Sequence, residues 1–167
     1  ILIAGGGIGG LTTALCLANA GHQVSVLEQA ADFSEVGAGI QLSPNCSRVL
    51  HALGLEPQLR SIGFLPEATH FKHWHTGSVM TESLLCKKAE ADYGAPYYHI
   101  HRGDLLNTLV TAASQSSRIE LHTQAPVTEF EESEGYVAVT SGENALKGHV
   151  LIGADGIHSD VRAQLWG

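Results

Sequence analysis

Three glycines and one acidic residue near the start of the chain have the types and spacing that bind a nucleotide diphosphate. Gly5, Gly7 and Gly10 form a G-x-G-x-x-G pattern, and Glu28 follows it downstream. Gly5 permits a tight exit from a strand, Gly7 lets a diphosphate approach bare backbone, and Gly10 lets a helix pack closely on that strand. Free N–H groups at the start of the helix favour negative charge. Because Glu28 can accept hydrogen bonds from both ribose hydroxyls and disfavours a 2′-phosphate, the pattern favours FAD or NAD over NADP.

A strand, a turn, a helix and a second strand must position these residues, and the flanking sequence predicts all four. Residues 1–4 (ILIA) are an apolar run typical of a buried strand. Apolar residues then recur at helical spacing from Leu11 to Ala18, and Gly21 lies where a helix C-terminal glycine belongs. Residues 23–28 (QVSVLE) predict the second strand. The alternative is a βαβ unit that binds no ligand, which the agreement of all these parts disfavours.

The sequence contains a second glycine motif, at residues 153–156. The apolar run VLIG leads into Ala154, Asp155 and Gly156, and a helix capped by Ser159 or Asp160 is predicted to follow, with Arg162 about two turns into it. Open α/β sheets bind ligands at the carboxyl edge of their strands. Asp155 is therefore expected to accept a hydrogen bond from a ribityl or ribose hydroxyl, or else to be a capping or turn residue.

The region between the two motifs predicts short elements rather than repeated βα units. Ser43 and Pro44 predict a helix that ends near Leu53, and Asp104 predicts the cap of a helix from Leu105 to about Ser114. Residues 62–86 alternate around HTGS and predict a hairpin. The strands RIELHT, PVTEFEES and GYVAVTS predict a β-meander before the chain returns to the parallel sheet at VLIGAD. Trp74 and Trp166 are predicted to be buried, against the core or against a further part of the protein.

Composition narrows the function classes. The formal charge of −8 disfavours nucleic-acid binding, which depends on Lys and Arg. No apolar run is long enough to span a membrane. The odd number of cysteines, three, and the lack of a C-x-x-C pair favour a reduced, cytoplasmic setting.

Histidines raise the question of a metal. Those that lie close in sequence are His70, His73, His75, His99 and His101. Histidines two apart on a strand can chelate a metal. Strand alternation places His73 and His75 on one face and His70 on the other, and no carboxylate or cysteine accompanies them in sequence, so no metal site is predicted.

Four stretches together resemble one family, the class A FAD-dependent aromatic monooxygenases that are similar to p-hydroxybenzoate hydroxylase. They are IAGGGIGGLTTALCLANAGHQVSVLEQ, GAGIQLSPNCSRVL, YYHIHRGDLLNTL and LIGADGIHSDVR. The branch that it resembles most is that of salicylate hydroxylase and 6-hydroxynicotinate monooxygenase. The resemblance implies an α/β fold: a Rossmann-like FAD-binding domain of the glutathione-reductase type with a βαβ start, an inserted β-meander and part of a substrate-domain sheet. It assigns 1–61 and 99–167 to the FAD-binding domain and 62–98 to the substrate-binding sheet.

The resemblance also implies a role for individual residues. The pyrophosphate would lie along Gly5, Gly7 and Gly10, and Glu28 with the adjacent Gln29 would bind the adenosine end. The flavin ring would pass near Gly37, Ala38 and Gly39, with Gln41 and His101 as candidate residues beside it. Other cofactor contacts would come from Arg102, Val127, Asp155 and Gly156. A relative carries a proton-transferring histidine where this chain has Gln41, which cannot titrate, and no catalytic base is identified.

The implied activity is hydroxylation of a phenol or hydroxylated heteroaromatic acid with NAD(P)H and O₂, through a flavin C4a-hydroperoxide. The alternatives are another FAD-dependent oxidoreductase of the same fold (a reductase, oxidase or halogenase) and a nucleotide-binding module without activity. The family's downstream G-D motif and most of its substrate sheet are not in this sequence, so the chain is expected to be the N-terminal part, under half, of a longer protein. The oligomeric state is not predicted.

Overall fold

The computed structural model describes residues 1–33, 37–142 and 144–167. The chain forms two compact units. The first comprises Ile1–Glu35 and Leu106–Gly167, and the second comprises Val36–Leu105. The predicted division by function, with 62–98 assigned to the substrate, stays a prediction.

Strands and helices are interspersed over residues 1–114, and strands dominate the rest of the chain. The strands are β1 (Leu2–Ala4), β2 (Val24–Leu27), β3 (Gly39–Leu42), β4 (Ala68–Lys72), β5 (Val79–Leu84), β6 (Tyr98–His101), β7 (Ile119–His122), β8 (Glu129–Ser133), β9 (Tyr136–Ser141), β10 (Asn144–Gly148) and β11 (Leu151–Gly153). The helices are α1 (Ile8–Asn19), α2 (Pro44–Ala52), α3 (Glu56–Ile62), α4 (Lys87–Tyr93), α5 (Arg102–Ser114) and α6 (Asp160–Trp166).

A four-stranded parallel sheet in the order β11-β1-β2-β7 forms the centre of the first unit. All of β1 is buried, and so are three of the four residues of β2, as the near-continuous apolar runs predict. Helix α1 buries Leu11, Ala14, Leu15 and Ala18, the residues at helical spacing. Gly21 follows the end of α1 with φ +95°. The predicted strand–turn–helix–strand unit is confirmed.

The meander is the second layer of the first unit, and its composition differs in part from the prediction. It consists of β8, β9 and β10, all antiparallel, in the order β10-β9-β8. Residues Ile119–His122 (from RIELHT) do not belong to it, because they pair in parallel with β2. Its third strand is β10 instead. The two sheets and α6 share a core of Leu2, Ala4, Leu27, Val127, Val139 and Val161.

The second unit is built on the antiparallel ribbon of β3 and β6. Phe64 extends the ribbon by an isolated bridge to His99. The predicted hairpin is confirmed as β4 and β5, and the turn between them contains His73 and His75 rather than placing both on a strand face. Helix α2 begins at Pro44, as predicted.

Three further features differ in whole or in part from what the sequence predicts. Helix α3 was not predicted, since its seven residues offer too short an apolar pattern. Helix α5 begins at Arg102, so Asp104 lies in its first turn and is not its N-cap. Neither tryptophan packs against the core, because Trp74 is 89% exposed and Trp166 is 81% exposed, and their burial against a further part of the protein stays a prediction.

None of the helices that the structure describes combines the length and apolar character needed to cross a membrane.

Candidate nucleotide-binding site

Close backbone packing requires glycine at two of the three motif positions. Gly5 has φ +101°, and a Cβ atom there would lie 2.3 Å from the carbonyl oxygen of Ala154 at the end of β11. A Cβ atom on Gly10 would lie 2.0 Å from the carbonyl oxygen of Gly5. Real Cβ atoms do not approach backbone this closely. A side chain at Gly5 would therefore push the turn after β1 away from Ala154, and one at Gly10 would push α1 away from the turn at Gly5.

Gly7 differs because nothing within the protein requires it to be glycine. Gly7 is the N-cap of α1, with φ −73°, a value open to any residue, and a Cβ atom there would meet no heavy atom within 4 Å. No side chain caps α1 at this end, which leaves N–H groups of its first turn available to an acceptor. Open space at a helix N-terminus is what a diphosphate needs, so the residues present fit the nucleotide that the sequence predicts.

Glu28 is held beside this turn by the backbone itself. Its Oε2 accepts a hydrogen bond from the Gly6 N–H at 2.7 Å, and its Oε1 accepts one from the Ala30 N–H at 2.9 Å. Each carboxylate oxygen can accept a further hydrogen bond, so Glu28 can still receive ribose hydroxyls. Gln29 is exposed next to it.

The side chain of Phe33 covers Gly6 and was not anticipated from the sequence. A Cβ atom on Gly6 would lie 2.4 Å from the Phe33 ring and 3.0 Å from Cβ of Glu28. Contacts within the protein therefore require glycine at position 6, whereas the space beside Gly7 is open. No spacing rule pointed to Phe33, because it lies in an irregular segment after β2.

Asp155 caps the loop between β11 and α6. Its Oδ1 accepts from the Ser159 hydroxyl at 2.6 Å, and its Oδ2 accepts from the Val161 N–H at 3.1 Å. Burial acts to raise the pKa of Asp155, but the hydrogen bonds from Ser159 and from the backbone at Val161, Asp155 and Asp160 together hold that pKa below its ordinary value. The capping alternative is thus observed, and a role of Asp155 toward a nucleotide remains a prediction.

Residues close to Asp155 in sequence take part in the same network of capping hydrogen bonds. Ser159 is the N-cap of α6, as predicted, and its Oγ accepts from the Arg162 N–H at 2.9 Å. Arg162 therefore lies in the first turn rather than two turns into the helix, and its guanidinium donates to the Ile157 carbonyl at 2.7 Å. A Cβ atom on Gly156 would meet nothing within 4 Å. Val127 buries its side chain in the core of the first unit, which leaves only its backbone for the predicted contact with adenine.

Within the second unit, the structure brings together the residues that were predicted to serve the flavin ring. Gly39 pairs with His101 in the β3–β6 ribbon, and the Arg102 N–H donates to the Ala38 carbonyl at 3.3 Å. A Cβ atom on Gly37 would lie 2.9 Å from Cβ of Arg102, so that glycine is needed for packing. Gly39 would meet only the Ile100 carbonyl oxygen, at an ordinary 3.7 Å, so its bare backbone suits a flat ligand.

Gln41 has a partner that sequence reasoning missed. The Tyr97 hydroxyl donates to Oε1 of Gln41 at 2.6 Å. Tyr97 precedes β6 by one residue, so strand alternation, which puts it on the face of His99 and His101, could have indicated it.

The histidines do not gather around a metal. Across the residues of known placement, no group of three or more His, Cys, Asp or Glu side chains could hold one. His70 does have a carboxylate neighbour, contrary to expectation, since its Nε2 lies 2.7 Å from Oε1 of Glu82. That pair is exposed on the hairpin.

The match to a family model covers residues 1–166, and that family is described as the FAD binding domain. The chain belongs to this family. The FAD-binding fold of this family therefore includes the βαβ unit at the start of the chain, its glycine turn and the Glu28 carboxylate beside that turn.

Similar proteins carry the names of aromatic hydroxylases and monooxygenases. The chain is 39% identical to a 3-hydroxybenzoate 6-hydroxylase of Polaromonas naphthalenivorans and 33% identical to a 6-hydroxynicotinate 3-monooxygenase of Bordetella bronchiseptica, and both alignments cover all of this chain. It spans only 42% and 43% of those relatives' lengths.

Solved structures show the same fold. The p-nitrophenol 4-monooxygenase PnpA of Pseudomonas putida superposes with a TM-score of 0.85 at 23% identity, over 99% of this chain and 42% of that one. A variant of HpxO from Klebsiella pneumoniae, solved with FAD, superposes with a TM-score of 0.82 at 26% identity, over 98% of this chain and 41% of its own.

Proposed function

We propose that the chain binds FAD and is part of a flavin-dependent monooxygenase that hydroxylates a phenol or a hydroxylated heteroaromatic acid, with NAD(P)H and O₂ as co-substrates. The observation that carries the proposal is the open space at Gly7, at the uncapped N-terminus of α1, with the Glu28 carboxylate fixed beside it. The aromatic substrates named for its relatives support the substrate class. The acidic composition argues against nucleic-acid partners. The three cysteines without a C-x-x-C pair support a reduced, cytoplasmic setting.

The chain's own residues would bind and orient the cofactor. The N–H groups at the start of α1 would donate to the diphosphate, and the helix dipole would stabilise its charge. Glu28 would accept hydrogen bonds from the ribose. Val127, Asp155 and Gly156 are proposed as further contacts of the same nucleotide, Asp155 through the loop that it caps. The chemistry that FAD would supply when bound is uptake of a hydride from NAD(P)H and activation of O₂, with one oxygen atom entering the aromatic ring and the other leaving as water.

The second unit is proposed to serve the flavin ring and the substrate. Gly37, Ala38 and Gly39 would offer backbone without large side chains, with Arg102 and His101 paired to that segment. Gln41 would donate or accept hydrogen bonds but cannot move a proton as an acid or a base.

The test is reconstitution followed by turnover, in the protein at its natural length. Purified protein should show flavin absorbance after incubation with FAD, and 3-hydroxybenzoate or 6-hydroxynicotinate should stimulate its NAD(P)H oxidation and yield a hydroxylated product. FAD binding without stimulation by any phenol would favour a different flavin-dependent oxidoreductase. Failure to retain FAD under any condition would favour the module without activity.

A further inference from the structure

An exposed side-chain pair in the second unit fixes the orientation of an amide. Gln41 lies on β3 and Tyr97 lies just before β6, and the Tyr97 hydroxyl donates to Oε1 of Gln41 at 2.6 Å. A glutamine amide carries one acceptor oxygen and one nitrogen with two hydrogens. Because Tyr97 takes the oxygen, the nitrogen with both donor hydrogens points away from Tyr97.

The Gln41 amide lies beside a row of rings on one face of the β3–β6 ribbon. Gln41 is opposite His99, and His99 is opposite Phe64 on its other side. The His99 ring centre lies 5.7 Å from that of Tyr97 and 6.3 Å from that of Phe64. Along β6, Tyr98 and Ile100 are buried while His99 and His101 are exposed, so this face is presented outward and the opposite face is in the core.

Stability of the ribbon does not require the Tyr97–Gln41 hydrogen bond. The ladder from Gly39 to Leu42 already pairs β3 with β6 along its whole length. A solvent-exposed hydrogen bond between side chains adds little, because water competes for both partners. An amide held in one orientation beside exposed aromatic rings is instead suited to a flat ligand with an oxygen acceptor at its edge.

We propose that Tyr97 is a positioning residue, which turns the Gln41 amide so that its Nε2–H groups donate to a carboxylate or phenolate oxygen of the aromatic substrate. This inference rests on the proposed function and deepens it. Gln41 contacts the substrate oxygen and orients the ring, while Tyr97 acts only through Gln41.

The experiment measures binding to FAD-loaded protein at its natural length, with 3-hydroxybenzoate as the probe and the flavin absorbance change as the signal. Tyr97→Phe should raise the dissociation constant about three- to tenfold, the size expected for one hydrogen bond. Gln41→Leu should raise it as much or more. The double variant should bind no more weakly than Gln41→Leu alone, because the two residues act as one unit. The matched control is Tyr93→Phe, which replaces an exposed tyrosine at the end of α4, four residues before Tyr97 and outside the β3–β6 ribbon. This variant should bind the probe as the unsubstituted protein does.

The Gln41→Glu variant distinguishes acceptance of the hydrogen bond from Tyr97 from donation of a hydrogen bond to the substrate. The carboxylate can still accept from Tyr97 but has no N–H to donate, so the probe should bind at least as weakly as it does to Gln41→Leu.

A second readout needs no substrate. In ¹H–¹⁵N spectra, the Gln41 side-chain amide should lie away from the positions typical of a free glutamine in the unsubstituted protein and should return to them in Tyr97→Phe. An unchanged Gln41 signal in Tyr97→Phe, or probe binding by Tyr97→Phe equal to that of the unsubstituted protein, would overturn the inference while leaving the proposed function intact. If the unsubstituted, FAD-loaded protein shows no stimulated NAD(P)H oxidation with any phenol, the proposed function fails and the inference fails with it.

Discussion

The Glu28 carboxylate holds the Gly6 backbone, with Oε2 of Glu28 2.7 Å from the Gly6 nitrogen. This bond joins the end of β2 to the turn between β1 and α1, so the acid that would bind the ribose also shapes the turn that would bind the diphosphate. Since the Ala30 N–H donates to the other oxygen at 2.9 Å, the carboxylate has a fixed orientation before any nucleotide arrives.

Replacement of Glu28 by alanine should therefore affect binding and folding together. We expect FAD affinity to fall by about 1–3 kcal/mol, because charge-assisted hydrogen bonds to the ribose are lost. The free energy of unfolding should also fall, by about 1–3 kcal/mol, because the Gly6 N–H loses its acceptor. Fluorescence titration with FAD and urea unfolding measure the two effects. Asp32→Ala is the control, since that exposed carboxylate lies close in sequence. Unchanged affinity in Glu28→Ala would contradict the ribose role.

The two helix-side glycines of the motif should respond in opposite ways to the same substitution. Gly7→Ala should change the free energy of unfolding by no more than about 1 kcal/mol, because the new methyl group meets no protein atom and the backbone is ordinary. It should nevertheless weaken FAD binding at least tenfold, because the methyl group occupies space proposed for phosphate. Gly7→Val should be worse for binding.

Gly10→Ala should show the reverse order of effects. Its Cβ would lie 2.0 Å from the Gly5 carbonyl oxygen, so we expect a loss of about 1–3 kcal/mol or more in stability from overpacking. Thermal unfolding of both variants without FAD makes the comparison. An apo Gly7→Ala protein that is as unstable as Gly10→Ala would show that Gly7 has a packing role.

Local signals predicted the first βαβ unit, since apolar runs, helical spacing and glycines all agreed over residues 1–28. Strand pairing was harder to predict, because a short run such as Ile119–His122 does not indicate its neighbour, and this strand pairs with β2 rather than with the meander. Asp104 is of a residue type that often caps helices, but the helix begins at Arg102, two residues before Asp104. Tyr97 was missed because its role comes from a cross-strand partner that only the β3–β6 register reveals.

Ser47 should be the most sensitive polar residue of α2. It is fully buried, and its hydroxyl donates to the Pro96 carbonyl at 2.6 Å, which ties α2 to the segment that ends at Tyr97. Ser47→Ala leaves that buried carbonyl without this donor and should cost about 1–3 kcal/mol of unfolding free energy. Ser61→Ala is the matched control, because the Ser61 hydroxyl donates to a carbonyl at an exposed position. Equal urea midpoints for the two variants would show that the Ser47 bond adds nothing.

Asp155 should make the free energy of unfolding depend on pH in the acidic range. Hydrogen bonds outweigh burial and lower its pKa below the ordinary 3.8, so the folded state binds a proton less readily than the unfolded state does. Its contribution to stability is therefore full above the ordinary value and is lost as the pH falls through the folded-state pKa. Asp155→Asn should be less stable than the unsubstituted protein at pH 7, and the difference should shrink below about pH 4. Ser159→Ala removes one donor and should raise the pKa of Asp155 toward its ordinary value. Carboxyl ¹³C titration and urea unfolding at several pH values measure both effects, and an Asp155 that titrates above 3.8 in the unsubstituted protein would contradict the capping argument.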